Sequence, residues 1–177
     1  MKAIFPAALA GLLLAACSQA PTAAGAETGS ADPLAATQEP ASDCAADEIV
    51  VFACATGLNE GVALCGSQDA AQLRYVRTGE AAAAWPDAGT AASAAFRSGT
   101  LMYSGGGGAY LRFDREDVVH TVYTGIGRGW EKAGVVIEEG GQTVRELVCE
   151  GEVASLIGPD LFERASIPAD DSGFEIP

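Results

Sequence analysis

Along most of the chain, short hydrophobic runs alternate with turn-forming residues. From residue 43 onward the runs are separated by Gly, Asn, Asp and Pro, and several of them alternate between apolar and polar positions. This pattern is typical of β-strands joined by local turns. It predicts strands over residues 48–54, 61–65, 72–77, 100–104, 109–113, 118–124, 133–138 and 143–149, with weaker candidates near 82–85 and 94–97.

The spacing of these strands, about 8 to 12 residues, indicates the fold class. Strands at this spacing with local turns are typical of an antiparallel meander. The sequence therefore predicts an all-β fold, either a small barrel or a sandwich. Only residues 153–164 have helical character, and Gly158-Pro159 interrupts them. We expect one short C-terminal helix beside the strands.

Two stretches of the β-rich region are unusually rich in glycine. Residues 105–108 are four consecutive glycines, and residues 125–130 contain three more. Neither stretch has the spacing of a phosphate-binding loop or precedes a predicted helix. The first is interpreted as a flexible hairpin between Tyr103 and Tyr110. The second is interpreted as a mobile loop in which Arg128 and Trp130 are contact residues, since Arg and aromatic side chains are typical interface anchors.

The beginning of the chain has a different pattern. Lys2 precedes an almost unbroken apolar stretch over residues 3–16, which has the length of a secretory signal and is too short to span a bilayer. It ends in Leu14-Ala15-Ala16-Cys17, which resembles the lipobox of bacterial lipoproteins. The resemblance implies a diacylglyceryl group on the Cys17 thiol, cleavage before Cys17 and acylation of the new amino terminus. The alternative is an ordinary signal peptide with an accidental cysteine.

The residues after Cys17 indicate a location and a tether. Ser18 follows the cysteine, and the resemblance implies that a lipoprotein without Asp at this position passes to the bacterial outer membrane. Up to residue 43 the chain is small, polar or acidic, with Leu34 as its one large apolar side chain, so we expect a disordered tether. The predicted organisation is a signal at 1–16, an acylated cysteine and tether at 17–43, and a β-domain at 44–177 facing the periplasm.

Net charge limits the choice of partner. The chain has 24 acidic residues against 10 Lys and Arg, which gives a formal charge of −14 at pH 7. Such a surface repels nucleic acid and anionic lipid headgroups, so neither is an expected partner. Contact with the membrane is expected only through the N-terminal lipid. A basic protein such as a lysozyme has the complementary charge.

The remaining cysteines indicate disulfides. Four cysteines, at positions 44, 54, 65 and 149, form an even set in an exported protein. Cys54 and Cys149 end the first and last major strands, which a closed barrel would place side by side, and this would leave Cys44 with Cys65. The rival pairing joins Cys54 to Cys65 across a hairpin centred on residues 59–60. No Cys-x-x-Cys spacing is present, so no metal site and no cofactor are predicted.

Catalysis has little support in the sequence. His120 is the one histidine, and no serine lies in a G-x-S-x-G turn, so a serine-hydrolase arrangement is not indicated. Within its alternating strand, His120 is interpreted as a structural residue. A pair of carboxylates acting as in glycosidases stays open because acids are numerous. We expect that the chain is not an enzyme.

The order of motifs in the β-domain resembles the membrane-bound C-type lysozyme inhibitors of bacterial envelopes. The resemblance rests on Phe52-x-Cys54, Ser98-Gly99 followed by Tyr103, residues 110–113, and Cys149. It implies an eight-stranded barrel in which a Ser-Gly-x-x-Tyr loop enters the lysozyme cleft. Here Tyr103 is one residue farther along, and the family's lysine-bearing segment has no match. The run SGGGGAYLRF, with VFAC and a late cysteine, also resembles uncharacterised bacterial envelope proteins, which implies no activity.

Together these patterns predict an outer-membrane-anchored periplasmic lipoprotein that acts as a protein-binding or structural module of the envelope. The alternative is a lysozyme inhibitor that plugs the C-type lysozyme cleft with a loop near residues 98–103. The candidate contact residues are Ser98, Gly99, Tyr103, Ser104, Tyr110, Arg112, Arg128 and Trp130.

Overall fold

A computed structural model describes residues 42–78 and 84–177. The predicted signal peptide, Cys17 and nearly all of the predicted tether lie outside the described residues. Residues 82 and 83 of the weak strand near 82–85 lie outside them as well, and Trp85 forms an isolated antiparallel bridge with Tyr75. The described residues therefore belong to the β-rich region of the chain.

Within the described residues the chain forms nine strands and two short helices, in an order that follows most of the predicted pattern. The strands are β1 (Ile49–Gly57), β2 (Glu60–Gly66), β3 (Leu73–Thr78), β4 (Arg97–Tyr103), β5 (Gly106–Arg115), β6 (Val118–Gly127), β7 (Trp130–Glu139), β8 (Gln142–Val148) and β9 (Glu150–Ser155). The helices are α1 (Ala92–Ala95), between β3 and β4, and α2 (Pro159–Arg164), after β9. Neither helix is long or apolar enough to cross a membrane.

The strands form two antiparallel sheets. One has four strands in the order β3-β2-β1-β9, and the other is a five-stranded meander in the order β4-β5-β6-β7-β8. The sheets are not closed into a barrel, so of the two predicted architectures the structure is consistent with the sandwich. The chain passes between the sheets twice, from β3 to β4 and from β8 to β9.

The core lies where alternate side chains of the two sheets meet. In β5 and β6 every second residue points inward, as a pleated strand requires. The largest fully buried side chains come from both sheets and include Phe52, Leu64, Phe96, Leu111, Phe113, Val122 and Val135. This two-layer burial is the reason that the hydrophobic pattern of the sequence predicts strands.

Phe113 is at the centre of an aromatic cluster in this core. Its ring stacks on Trp85 with 4.6 Å between centroids and on His120 with 5.0 Å. Phe96 and Tyr75 contact the same ring at 5.3 Å and 5.1 Å. His120 is thus a core residue packed on aromatic rings, which fits its interpretation as structural.

Two disulfides join the parts of the domain, and their pairing is the one that the sequence favoured. Cys44 bonds to Cys65, and Cys54 bonds to Cys149, with Cα–Cα distances of 5.4 Å and 5.5 Å. The rival bond between Cys54 and Cys65 is absent because Cys54 lies opposite Val62 in the β1–β2 ladder. The β1–β2 hairpin therefore turns at residues 58–59, whereas the rival pairing needs a turn centred on residues 59–60.

Several local predictions are wrong. Residues 153–155, predicted to be helical, belong to β9, and the helix begins only at Pro159, after Gly158. Proline suits the first turn of a helix because its missing N–H has no partner there anyway. Residues 94–95, predicted as part of a weak strand, belong to α1. Alanine favours helices, so the alanine-rich sequence of this segment does not identify a strand.

Candidate binding surface

Ser98 and Gly99 do not lie in an exposed loop, so this part of the predicted contact surface is wrong. Both residues belong to β4, and Ser98 is only 4% exposed. The Ser98 hydroxyl lies 3.3 Å from the Pro168 carbonyl, and the Ser98 N–H donates to the same carbonyl at 2.9 Å. A side chain at Gly99 would overlap the ring of Tyr110. Neither residue is available to enter a cleft.

The glycine-rich stretches are also strands rather than long loops. Residues 106–108 belong to β5, and the turn before them is made by Ser104 and Gly105, whose φ of 81° favours glycine. Residues 125–127 belong to β6, and the next turn is made by Arg128 and Gly129, also with φ 81°. The predicted hairpin between Tyr103 and Tyr110 is present, but its turn is confined to residues 104–105. The loop predicted over residues 125–130 is confined to the turn at residues 128–129.

The two turns lie side by side at one end of the five-stranded sheet. The Arg128 N–H donates to the Ser104 carbonyl at 3.2 Å, which fixes one hairpin against the other. The structure therefore brings together four of the predicted contact residues, Tyr103, Ser104, Arg128 and Trp130. Because all four are attached to paired strands, their positions are set by the sheet.

One face of this end carries an aromatic pair. The rings of Tyr103 and Trp130 meet edge to face with 5.1 Å between centroids. In the ladder Tyr103 lies opposite Gly106, and Trp130 lies opposite Gly127. A side chain at Gly127 would overlap the Trp130 ring. Gly127 therefore provides the space in which the Trp130 ring lies.

The other face of the same end carries exposed apolar side chains. Met102 lies opposite Gly107, which lies opposite Ile126, so the three residues form one row across the sheet. Met102 is 92% exposed and Ile126 is 54% exposed. Sequence reasoning missed both residues: Ile126 lies between two glycines, whereas Met102 has no glycine beside it in the sequence. We call Met102, Tyr103, Ile126, Arg128 and Trp130 the tip surface.

Tyr110 and Arg112, which the sequence offered as contact residues for a partner, contact the C-terminal segment of the same chain. Both belong to β5, and on the outer face of the sheet they contact residues 169–177, which we call the strap. Arg112 Nη1 lies 2.5 Å from Asp170 Oδ2, and the Tyr110 hydroxyl donates to the same oxygen at 3.0 Å. Arg112 Nη1 also donates to the hydroxyl of Ser172. Tyr110 and Arg112 thus hold the strap on the domain.

Two further side chains of the strap lie on the outer face. The ring of Phe174 is 5.2 Å from that of Tyr110 and 5.6 Å from that of Tyr123, between centroids. Ile176 lies over Gly125, where a side chain would overlap it, and its N–H donates to the Tyr103 hydroxyl at 3.3 Å. The strap therefore reaches the tip surface at Tyr103.

The anchor of the strap depends on ionisation. Burial raises the pKa of Asp170, but hydrogen bonds from Ser172 and Tyr110 and the charge of Arg112 outweigh it, so the pKa lies below its ordinary 3.8. Burial, the hydrogen bond to Asp170 and the charge of Asp170 raise the pKa of Tyr110 to about 12. The carboxylate and the neutral phenol are therefore the forms that the folded strap favours.

Acidification is expected to release the strap. Because the folded pKa of Asp170 is lowered, its contribution is complete above the ordinary pKa of 3.8 and is lost as the pH falls through the lowered value. In an NMR titration the Phe174 ring signals, shifted by Tyr110 and Tyr123, should move towards random-coil positions below pH 3.8. Asp170→Asn should show the moved signals already at pH 7. Signals that stay fixed until the core unfolds would contradict this role.

One other cluster has the composition of a metal site. Among the described residues, ligand atoms of Cys44, Glu48 and Cys65 lie within 4.8 Å of one another. The two sulfur atoms are joined in a disulfide, so neither offers a thiolate. Glu48 is instead paired with Arg74, whose Nη2 lies 2.5 Å from its carboxylate. The hydrogen bond from Arg74 is the largest of the effects that lower the pKa of Glu48.

Comparison with known proteins does not assign the chain to a family. No protein-family model, curated protein or solved structure matches it. The case for a function therefore depends on the chemistry of the tip surface and of the strap.

Proposed function

We propose that this chain is a lipid-anchored protein of the bacterial outer membrane whose periplasmic β-domain binds another protein through the tip surface, without catalysis. The observation that carries the proposal is the exposure of Met102 and Ile126 in one row, at 92% and 54%, on the reverse side of the Tyr103–Trp130 pair. Met, Arg and aromatic residues are the types enriched at protein interfaces. Arg128, in the adjacent turn, adds a charged group to the same surface.

The rigidity of the tip surface supports binding. Its residues lie on two hairpins that are joined by the hydrogen bond from Arg128 to Ser104. A surface that is already ordered loses less conformational entropy when a partner docks. The tip is thus better suited to recognition than the flexible loops predicted from the sequence.

The expected partner is a basic protein. The net charge of −14 would steer such a protein towards the domain and speed their association. A C-type lysozyme is one basic protein that the resemblance suggests. If it is the partner, Tyr103 and Ser104 are the residues expected to contact it, because Ser98 is buried. The motif Leu14-Ala15-Ala16-Cys17, which resembles a lipobox, supports attachment of the domain to the membrane by a lipid on Cys17.

Photocrosslinking tests the proposal. A photoreactive phenylalanine analogue is placed at Met102 of the full chain in the producing bacterium, and the matched control carries it at Leu58. Leu58 is 97% exposed and lies in the turn between β1 and β2 of the other sheet. It therefore controls for non-specific crosslinking at an exposed apolar position. We expect a discrete protein adduct from position 102 and none from position 58. The same adducts from both positions, or none from position 102, would contradict the proposal.

A further inference from the structure

The outer face of the five-stranded sheet is shaped as a trough. Three adjacent rows of this face form it, as the ladder of β4 to β7 shows. The middle row contains Gly108 and Gly125, and it lies between a row that contains Tyr110 and Tyr123 and the row of the Tyr103–Trp130 pair. Glycine leaves the floor of the trough open, and aromatic rings form its two walls. The strap lies in this trough.

The charges of the trough and of the strap are complementary. Arg97, Arg112 and Lys132 all belong to positions on the outer face. The strap contributes three acids, Asp170, Asp171 and Glu175. Arg112 pairs with Asp170, and the Lys132 ammonium donates to the Pro177 carbonyl. The same face also carries three acids, Asp114, Glu138 and Glu146. The complementarity is therefore local to Arg112 and Lys132, the two cations that contact the strap.

The strap is attached mainly by side chains. Its main chain bonds to the sheet at its two ends, where the Asp170 N–H donates to Ser98 O at 2.8 Å and the Ile176 N–H donates to the Tyr103 hydroxyl at 3.3 Å. No residue of the strap is fully buried. Segments with few buried contacts open at a lower free energy than the core. We therefore expect the strap to leave the trough at a lower free energy than either sheet unfolds.

We propose that the trough is a peptide-binding groove, and that the strap occupies it as an internal substitute for a segment of another protein. The ligand is an extended acidic segment with a carboxylate, an aromatic residue four positions later and an aliphatic residue two positions after that, as in Asp170, Phe174 and Ile176. Arg112 and the Tyr110 hydroxyl bind the carboxylate. Tyr110 and Tyr123 pack on the aromatic ring, and the glycine floor accepts the aliphatic side chain. This site lies on the opposite face of the sheet from Met102 and Ile126, although the Tyr103–Trp130 pair borders it. The peptide assay therefore tests the groove separately from the contact with a basic partner at Met102 and Ile126.

Binding of a synthetic peptide in trans tests the groove. The probe is a fluorescein-labelled peptide of residues 168–177, measured by anisotropy at pH 7 against the full chain. The wild type is compared with a variant whose strap is weakened by Asp170→Asn and Phe174→Ala. Because the intact strap competes at an effective concentration on the order of millimolar, the variant should bind the peptide at least about tenfold more tightly. Equal affinity for the two chains would overturn the proposal.

Changes in the peptide provide controls in which the opened chain itself stays the same. Peptides that carry Asp170→Asn or Phe174→Ala, and a scrambled peptide of the same composition, should each lose at least about tenfold in affinity for the opened chain. Gly125→Val should abolish binding by filling the floor, with near-UV circular dichroism confirming its fold. Equal binding of the scrambled peptide would overturn the proposal. So would concentration-dependent dimerisation of the wild type that Phe174→Ala removes, since it would assign the groove to a second copy.

Discussion

Replacing Cys54 and Cys149 together by alanine is expected to lower the free energy of unfolding by about 4–5 kcal/mol. The bond joins residues 95 apart in the sequence, so its loss releases a long loop in the unfolded chain. In the folded domain it ties β1 of the four-stranded sheet to the segment between β8 and β9, where the chain passes from one sheet to the other. It therefore fastens the two layers of the sandwich together.

Urea unfolding followed by circular dichroism measures this effect, and the second disulfide provides the control. Cys44 and Cys65 are only 21 residues apart, so replacing both by alanine should cost less, about 3 kcal/mol. Both variants should keep the β spectrum in the absence of urea. A larger loss from the short loop than from the long one would contradict the account of how the sandwich is held.

Replacing Phe113 by alanine is expected to cost about 3–5 kcal/mol of stability. The ring is 1% exposed and contacts Trp85, Phe96, Tyr75 and His120, with centroid distances between 4.6 Å and 5.3 Å. Removing it leaves a cavity among four rings, all of which lose contacts. Thermal or urea unfolding gives the difference in the free energy of unfolding directly.

Phe174→Ala is the matched control, because it removes the same ring from the strap. Phe174 is half-buried and contacts Tyr110 and Tyr123 outside the core. Its loss should open the strap while changing global stability by less than about 1.5 kcal/mol, as expected for a ring outside a cooperative core. If the two substitutions lower the free energy of unfolding by the same amount, the strap is part of the cooperative fold and does not open separately from the core.

Much of the fold could be predicted from the sequence because its signals are local. Alternation of buried residues such as Leu111 and Phe113 in β5 gives a period of two, which identifies strands without knowledge of their partners. The disulfide pairing could be favoured because Cys54 and Cys149 stand at the ends of the first and last predicted strands. Whether the strands close into a barrel or pack as a two-sheet sandwich depends on contacts between the sheets. The local hydrophobic pattern does not encode these contacts.

The candidate site could be predicted only in part because its contacts are distant in sequence. Ser98 is hydrogen-bonded to the carbonyl of Pro168, which lies 70 residues later, and no pattern around Ser98 indicates this contact. The glycine runs suggested loops because glycine is common in turns. In the structure a side chain at Gly127 would overlap the Trp130 ring, and one at Gly125 would overlap Ile176. Side chains at Gly106 and Gly108 would meet main-chain carbonyls of β6. Tyr103 and Trp130 were both candidate contact residues, but nothing in the sequence indicated that their rings meet, and the strap was not expected.

The central claim is that the tip surface is a protein interface, and the affinity of the partner captured at position 102 tests it most directly. Surface plasmon resonance at physiological salt compares the full chain with a variant that carries Met102→Ser and Ile126→Ser. The matched control is Leu58→Ser, which removes an equally exposed apolar side chain elsewhere. We expect the tip variant to bind at least about tenfold more weakly, as for the loss of interface anchors, and the control to bind like the wild type. Equal affinity of all three chains would contradict the claim.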